Sequence, residues 1–200
     1  MPTGTLYTNI SVAGISGTGV QTRTGEGAIA QDPTLAAGIT GTLSTRTSDT
    51  AGTLTVAEGH GVEQNDVIFI FWDDGWCYEA VAGVTTGTTI PFTDAKGDVL
   101  PTEDSEVVCS VETIINTDFD GDDVQMLALL STQRAGAVFE DAGDDVIVAM
   151  ELLASEPFAW AANTAIANPI TGDAIDEIHV ANGGTSEAQF KLGLVYDSVV

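Results

Sequence analysis

The stretch Ala188-Gln189-Phe190-Lys191-Leu192-Gly193-Leu194-Val195-Tyr196 decides the fold class. Side chains alternate between the two faces of a strand, so Ala188, Phe190, Leu192, Leu194 and Tyr196 share one side, and Gln189, Lys191, Gly193 and Val195 the other. The first set is aliphatic and aromatic, as a strand needs when one face lies on a core. Just upstream, residues 175–180 read as another strand. Asn182-Gly183-Gly184 would then supply the positive φ angles that fold the two into a C-terminal hairpin.

The same grammar runs back along the chain: short apolar or alternating runs, broken by Gly, Thr, Asn and Asp roughly every 8–12 residues, with almost no helical period. Residues 124–131 and 146–153 are nearly continuous apolar runs, which suit strands central in a sandwich or covered on both faces. Gly143-Asp144-Asp145 and Ser155-Glu156-Pro157 bound the second run too closely for a helix of ordinary length. From about 38 to 100 the texture changes to Thr and Gly, with an aromatic group at Phe69, Phe71, Trp72, Trp76, Tyr78 and Phe92. Strands over 53–56, 67–72 and 76–81, a turn at Asp73-Asp74-Gly75 and a bend at Gly59-His60-Gly61 predict a small barrel there. Because a strand over 106–116 follows directly on Leu100-Pro101, we expect an all-β protein. Its body is an antiparallel, jelly-roll-like β-sandwich from 1–37 and 104–200, into which a small β-barrel over 38–103 is inserted. Two domains in series is the alternative arrangement.

Composition bounds the function. Thirty Asp and Glu stand against five basic residues, Arg23, Arg46, Lys96, Arg134 and Lys191, for a net charge of −25. Direct nucleic-acid binding needs clustered Lys and Arg to replace counterions on phosphates, and this chain has no such cluster. The 44% hydrophobic content fills a core, and no run approaches the roughly 18 apolar residues of a membrane span. Met1-Pro2-Thr3-Gly4-Thr5 has none of the features of a secretion signal, so the expectation is a product of the cytoplasm. In that setting Asn9-Ile10-Ser11 is not a glycosylation site, and Cys77 and Cys109 read as buried reduced thiols, with a disulfide as the alternative.

Candidate sites are few. Asp118-Phe119-Asp120-Gly121-Asp122-Asp123 packs four carboxylates into six residues. Calcium takes six to eight oxygens and could collect them from Asp118, Asp120, Asp122 and Asp123, although the spacing departs from that of a helical calcium loop. The plainer reading is an acidic turn between strands. Glu140-Asp141-Ala142-Gly143-Asp144-Asp145 reads as a solvated hairpin end. Asp73 and Asp74, neighbours on one turn, cannot straddle a glycosidic bond. His60 sits between glycines and His179 on a strand, neither in a nucleophile motif, and the loop over 14–19 lacks the Lys of a phosphate cradle. No catalytic or cofactor-binding residue is expected. Trp72, Trp76 and Trp160 would contact carbohydrate if exposed and coplanar, and otherwise belong to the core.

Gly4-Thr5-Leu6-Tyr7-Thr8-Asn9, the phrase Gly59-His60-Gly61-Val62 leading to Asp66-Val67, and Asn182-Gly183-Gly184 through Phe190-Lys191-Leu192 to Tyr196-Asp197-Ser198 together resemble the all-β virion structural proteins of tailed bacteriophages. That resemblance implies a non-enzymatic subunit of the virus particle, made in the host cytoplasm. It implies a homo-oligomer, for instance a trimer, that contacts other virion proteins such as the major capsid protein. Head decoration (cement) is the first expectation, because tail-tube subunits usually add a helix to their sheets. A tail tube or fibre protein is the second, and a carbohydrate-binding β-sandwich module the third.

Overall fold

The computed structural model describes residues 10–11, 14–15, 26–162, 165–171 and 174–197. The glycine-rich loop over 14–19 falls outside them except for Gly14 and Ile15. Among these residues the chain is strand and turn, with one 3-10 turn at Gly121–Asp123 and no α-helix. A short antiparallel pair, β1 (Ile10–Ser11) and β2 (Gly14–Ile15), precedes β3 (Glu26–Gln31) and β4 (Thr34–Leu35).

A closed barrel follows. Its strands are β5 (Ile39–Arg46), β6 (Gly52–Val56), β7 (Val67–Trp72), β8 (Gly75–Ala82), β9 (Thr89–Thr93), the two-residue β10 (Lys96–Gly97) and β11 (Glu106–Val111). Pairing runs β8-β7-β11-β5-β6-β9, and Val81↔Thr93 with Ala82↔Phe92 joins β9 back to β8. Closure leaves these six strands no open edge. Alternation sends Leu43, Leu54, Ile68, Ile70, Cys77, Ile90, Phe92 and Cys109 into the interior, all at 2% exposure or less. The strand expected over 106–116 is in fact two: β11 completes the barrel, and the chain turns at Glu112 before re-entering the sandwich. The barrel strands therefore extend to Val111, beyond the boundary expected at 103.

The sandwich comprises β12 (Thr113–Asp120), β13 (Val124–Ser131), β14 (Ala135–Asp141), β15 (Val146–Leu152), β16 (Phe158–Ala161), β17 (Ala174–Asn182) and β18 (Ala188–Asp197), with β3 and β4. One sheet is ordered β12-β17-β14-β15, the other β16-β13-β18-β3, with β4 on β18. Phe119, Leu127, Leu129, Phe139, Ile178, Phe190 and Leu192 meet between them. The face read from 188–196 points inward as expected. The hairpin does not form, however: β17 and β18 belong to opposite sheets, and neither Gly183 nor Gly184 has a positive φ. Gly183 is needed for a different reason, since a Cβ there would stand 2.8 Å from the Phe71 ring.

That contact belongs to a third layer. The barrel lays Phe69, Phe71 and Trp76 on the outer face of the four-stranded sheet, against Val138 and Ala181, with Tyr78, Val108, Val146 and Ala149 around them. Phe71 and Trp76 stack at 5.9 Å and 10°. Gly136 admits them, because a Cβ there would lie 2.5 Å from Trp76 and 2.9 Å from Phe69. Thus β14, covered by the second sheet on one face and by the barrel on the other, is buried at six of its seven residues. Arg134 locks the layers: it donates from Nη1 to the Trp72 carbonyl at 2.6 Å and from Nη2 to the Gly75 carbonyl at 2.9 Å, pairs with Glu151, and lies 5.4 Å over the Phe71 ring.

Candidate functional site

Row by row, the cross-strand register of the four-stranded sheet sets its outer face. Ile114, His179, Val138 and Ala149 align in one row, and Asn116, Glu177, Glu140 and Val146 in the next. The barrel covers the apolar part of these rows and ends over the polar part. There His179 and Glu140, only 8% and 5% exposed, are caught at the seam.

Carboxyl groups surround the imidazole. His179 Nδ1 lies 2.7 Å from Glu112, in the turn between β11 and β12, while Nε2 lies 3.1 Å from Glu177 and 3.4 Å from Glu140. From the barrel side, a bulge in β8 opposite Phe69 gives Glu79 a left-handed backbone, φ 52°, and turns its carboxyl toward Glu140 and Lys96. Lys96, on β10, pairs with Glu79. The chain of contacts therefore runs from Lys96 and Glu79 of the barrel through Glu140 to His179, Glu177 and Glu112.

Protonation follows from this crowding. Burial pushes the Glu140 carboxyl up to about 7, and the neighbouring Glu79 carboxylate adds to the effect, because it favours a neutral Glu140 that can donate its proton toward it. For His179, burial alone would depress the imidazole. The hydrogen bond and charge of Glu112, with Glu140 and Glu177 behind them, outweigh burial and hold it up to about 9. A protonated ring can donate from both nitrogens, which matches carboxyl oxygens at both ends. The cluster thus holds protons between the modules. The Glu112–imidazole pair has the form of a base and its orienting acid, but the far nitrogen faces carboxyls, with neither hydroxyl nor thiol among its hydrogen-bond partners.

The residues singled out from sequence lie elsewhere. Asp118 and Asp120 point outward at the end of β12, and Asp122 is exposed in the 3-10 turn with Asp123 half-buried beside it. Asp120 is engaged in local structure, capping that turn by accepting from the Asp122 N–H at 2.9 Å. Among the described residues, no group of three or more His, Cys, Asp or Glu side chains is arranged to hold a metal ion. His60 is a turn residue: its Nδ1 accepts from the Val62 N–H at 3.0 Å, which leaves Nε2 to donate to the Thr86 carbonyl at 2.8 Å. Trp76 and Trp160 are buried, so no exposed pair forms. Trp72, half-buried, borders an open groove of about 720 Å³ with Thr40, Thr42, Thr55 and Asp73.

Cys77 and Cys109 are free, and burial pushes both thiols up to about 12. Each pairs with Ile70 from opposite sides, so they lie two strand spacings, about 10 Å, apart, beyond the reach of a disulfide. The second acidic turn divides. Asp141 caps it by accepting from the Gly143 and Asp145 N–H groups, while Glu140, expected in solvent, is buried at the seam because β14 is covered on both faces.

Sequence reasoning missed Glu79, Glu112 and Glu140. Only Glu177 and His179 carried a signal, two residues apart on one strand and hence on one face. No protein-family model matches this chain, and neither does any curated protein or solved structure.

Proposed function

We propose that this chain is a non-enzymatic structural subunit of a tailed-phage particle, a decoration or cement subunit that stabilises the head through contacts between subunits. The observation that carries the reading is the seam. Two β modules are joined by stacked aromatics, glycines at which a Cβ would crowd the packed rings, and a guanidinium clamp. The barrel and the sandwich therefore pack against each other through a filled aromatic seam. Such a body offers strand edges and acidic surface to neighbours. The partners on this reading are further copies of the chain and other virion proteins such as the major capsid protein. The net charge of −25 keeps the subunit off nucleic acid and soluble in the host cytoplasm until assembly.

Immunogold electron microscopy of intact particles tests the proposal, using antibodies against the folded chain. Gold distributed over the head is the expected result. Gold on the tail would move the assignment to a tube or fibre subunit. Unlabelled particles, together with saturable binding of an oligosaccharide that Trp72→Ala abolishes, would replace the virion reading with a carbohydrate-binding module.

A further inference from the structure

Where the barrel meets the sandwich, ionisable groups from both modules face one another. The barrel brings Tyr78 and Glu79 on β8, Lys96 on β10 and Asp98 just after it. The sandwich brings Glu140 on β14 with Glu177 and His179 on β17, and the turn joining the modules brings Glu112. In the Glu140 row, β12 and β15 add only the uncharged Asn116 and Val146. Asp98 accepts from the Trp76 N–H, and Asp141, next to Glu140, caps its own turn. Arg134 is engaged elsewhere, with Glu151 and the carbonyls of Trp72 and Gly75 at the β7–β8 turn.

Two buried oxygens in this group lack a partner. Glu140 Oε1 and Glu79 Oε1 accept no hydrogen bond, in side chains only 6% and 16% exposed. A carboxylate oxygen held out of water without a donor is destabilising, and neighbouring carboxyls in such a place repel strongly once both ionise. A proton on Glu140 removes that repulsion and gives the pair a donor. Three carboxylates, Glu79, Glu112 and Glu177, then stand against Lys96 and the protonated His179. Ionising Glu140 makes them four, and Lys96, with half of its side chain exposed, is screened by solvent.

We propose that the proton between Glu79 and Glu140 latches the barrel to the sandwich: with it in place β8 and β10 close over β14 and β17, and without it the seam parts there and admits water. Arg134 keeps its hold at the β7–β8 turn, so the opening is local and each module stays folded. The closed form binds the extra proton, so it is favoured at low pH and lost as pH rises. Because burial holds the Glu140 carboxyl up to about 7, the change falls around neutral pH. The latch goes beyond the structural-subunit reading and does not depend on it.

A thiol placed in the seam tests this. Val138 is fully buried there on β14, in the row next to Glu140, whereas the native Cys77 and Cys109 lie inside the barrel and report its unfolding. In the full chain carrying Val138→Cys, alkylation is followed at about pH 6 and about pH 8.5, each rate divided by that of a small free thiol at the same pH to remove the thiolate effect. The normalised rate at position 138 is expected to rise by about tenfold or more at the higher pH, with Cys77 and Cys109 unreacted. Adding Glu140→Gln, which keeps a neutral donor toward Glu79, or Glu79→Gln, which removes the opposing charge, should abolish most of that rise. The two substitutions act from opposite modules, so either one decides the matter if the other does not fold. A normalised rate indifferent to pH overturns the latch. Reaction of Cys77 and Cys109 in step with position 138 overturns it as well, because the whole fold is then loosening. A rise that persists in both variants overturns the Glu79–Glu140 proton as its basis.

Discussion

Two regions of this molecule concentrate acid, and they behave in opposite ways. The turn from Asp118 to Asp123 has four carboxylates in six residues, yet three of them face solvent, and Asp120 is engaged in capping a backbone turn. The seam gathers Glu112, Glu140 and Glu177 around His179, with Glu79 behind Glu140, and there burial raises Glu140 while the surrounding carboxyls raise His179 against its burial. Carboxylates adjacent in sequence but open to water are screened within about 10 Å at 0.1 M salt. Those held out of water interact strongly, so removal from solvent couples the groups more than their density along the chain.

Breaking the seam at its centre should have the largest effect. His179→Ala leaves Glu112, Glu140 and Glu177 crowded without their shared imidazole, and unfolding in urea at pH 7 should show a loss of about 3–5 kcal/mol, the cost of removing one partner from a buried ionic group. A loss below about 1 kcal/mol would mean that the site is as solvated as the turn.

Next in size is the dependence on pH, about 2 kcal/mol in all, from shifts worth about 1.4 kcal/mol per unit and discounted for their mutual coupling. The sign is the same for both groups, because the folded state binds the extra proton in each case. For Glu140, whose value rises from 4.5 to about 7, the stabilisation is complete below 4.5 and lost as pH rises through 7. For His179, raised from 6.5 to about 9, it is complete below 6.5 and lost through 9. Stability should therefore fall as pH rises from about 4.5 to 9. In Glu140→Gln the fall below pH 7 should largely disappear, which denaturation at a series of pH values can measure.

Gly136→Ala tests the roof over the cluster rather than its members. The added methyl meets Trp76 and Phe69, and overpacking of this kind costs about 1–3 kcal/mol. If the barrel lifts, water reaches the seam, and an NMR titration of His179 should show its midpoint moving down toward 6.5. The smallest effect is expected in the turn: Asp118→Asn should change stability by no more than about 0.5 kcal/mol. A calcium-dependent rise in melting temperature that this substitution abolishes would give the turn the cation role that its composition first suggested.

Strand identity was readable wherever alternation or an apolar run was strong: 124–131, 67–72 and the inward face of 188–196 all stand as expected. The errors have one cause. Assigning β17 and β18 to a hairpin, and 106–116 to a single strand, required knowing which sheet each segment joins, and pairing partners lie far apart in the chain. Gly183 shows the same limit: sequence marks the glycine, but the ring that excludes a side chain comes from Phe71, more than a hundred residues earlier.

The sequence by itself determined the all-β character, the aromatic richness of the barrel segment and the strongly acidic surface, because backbone period and net charge are local or additive properties. Tertiary structure alone decided that the barrel covers the second face of β14, and so placed Glu140 and His179 out of water. Burial depends on what packs above a residue, and here the cover consists of side chains from β7 and β8, some sixty or more residues upstream of β14.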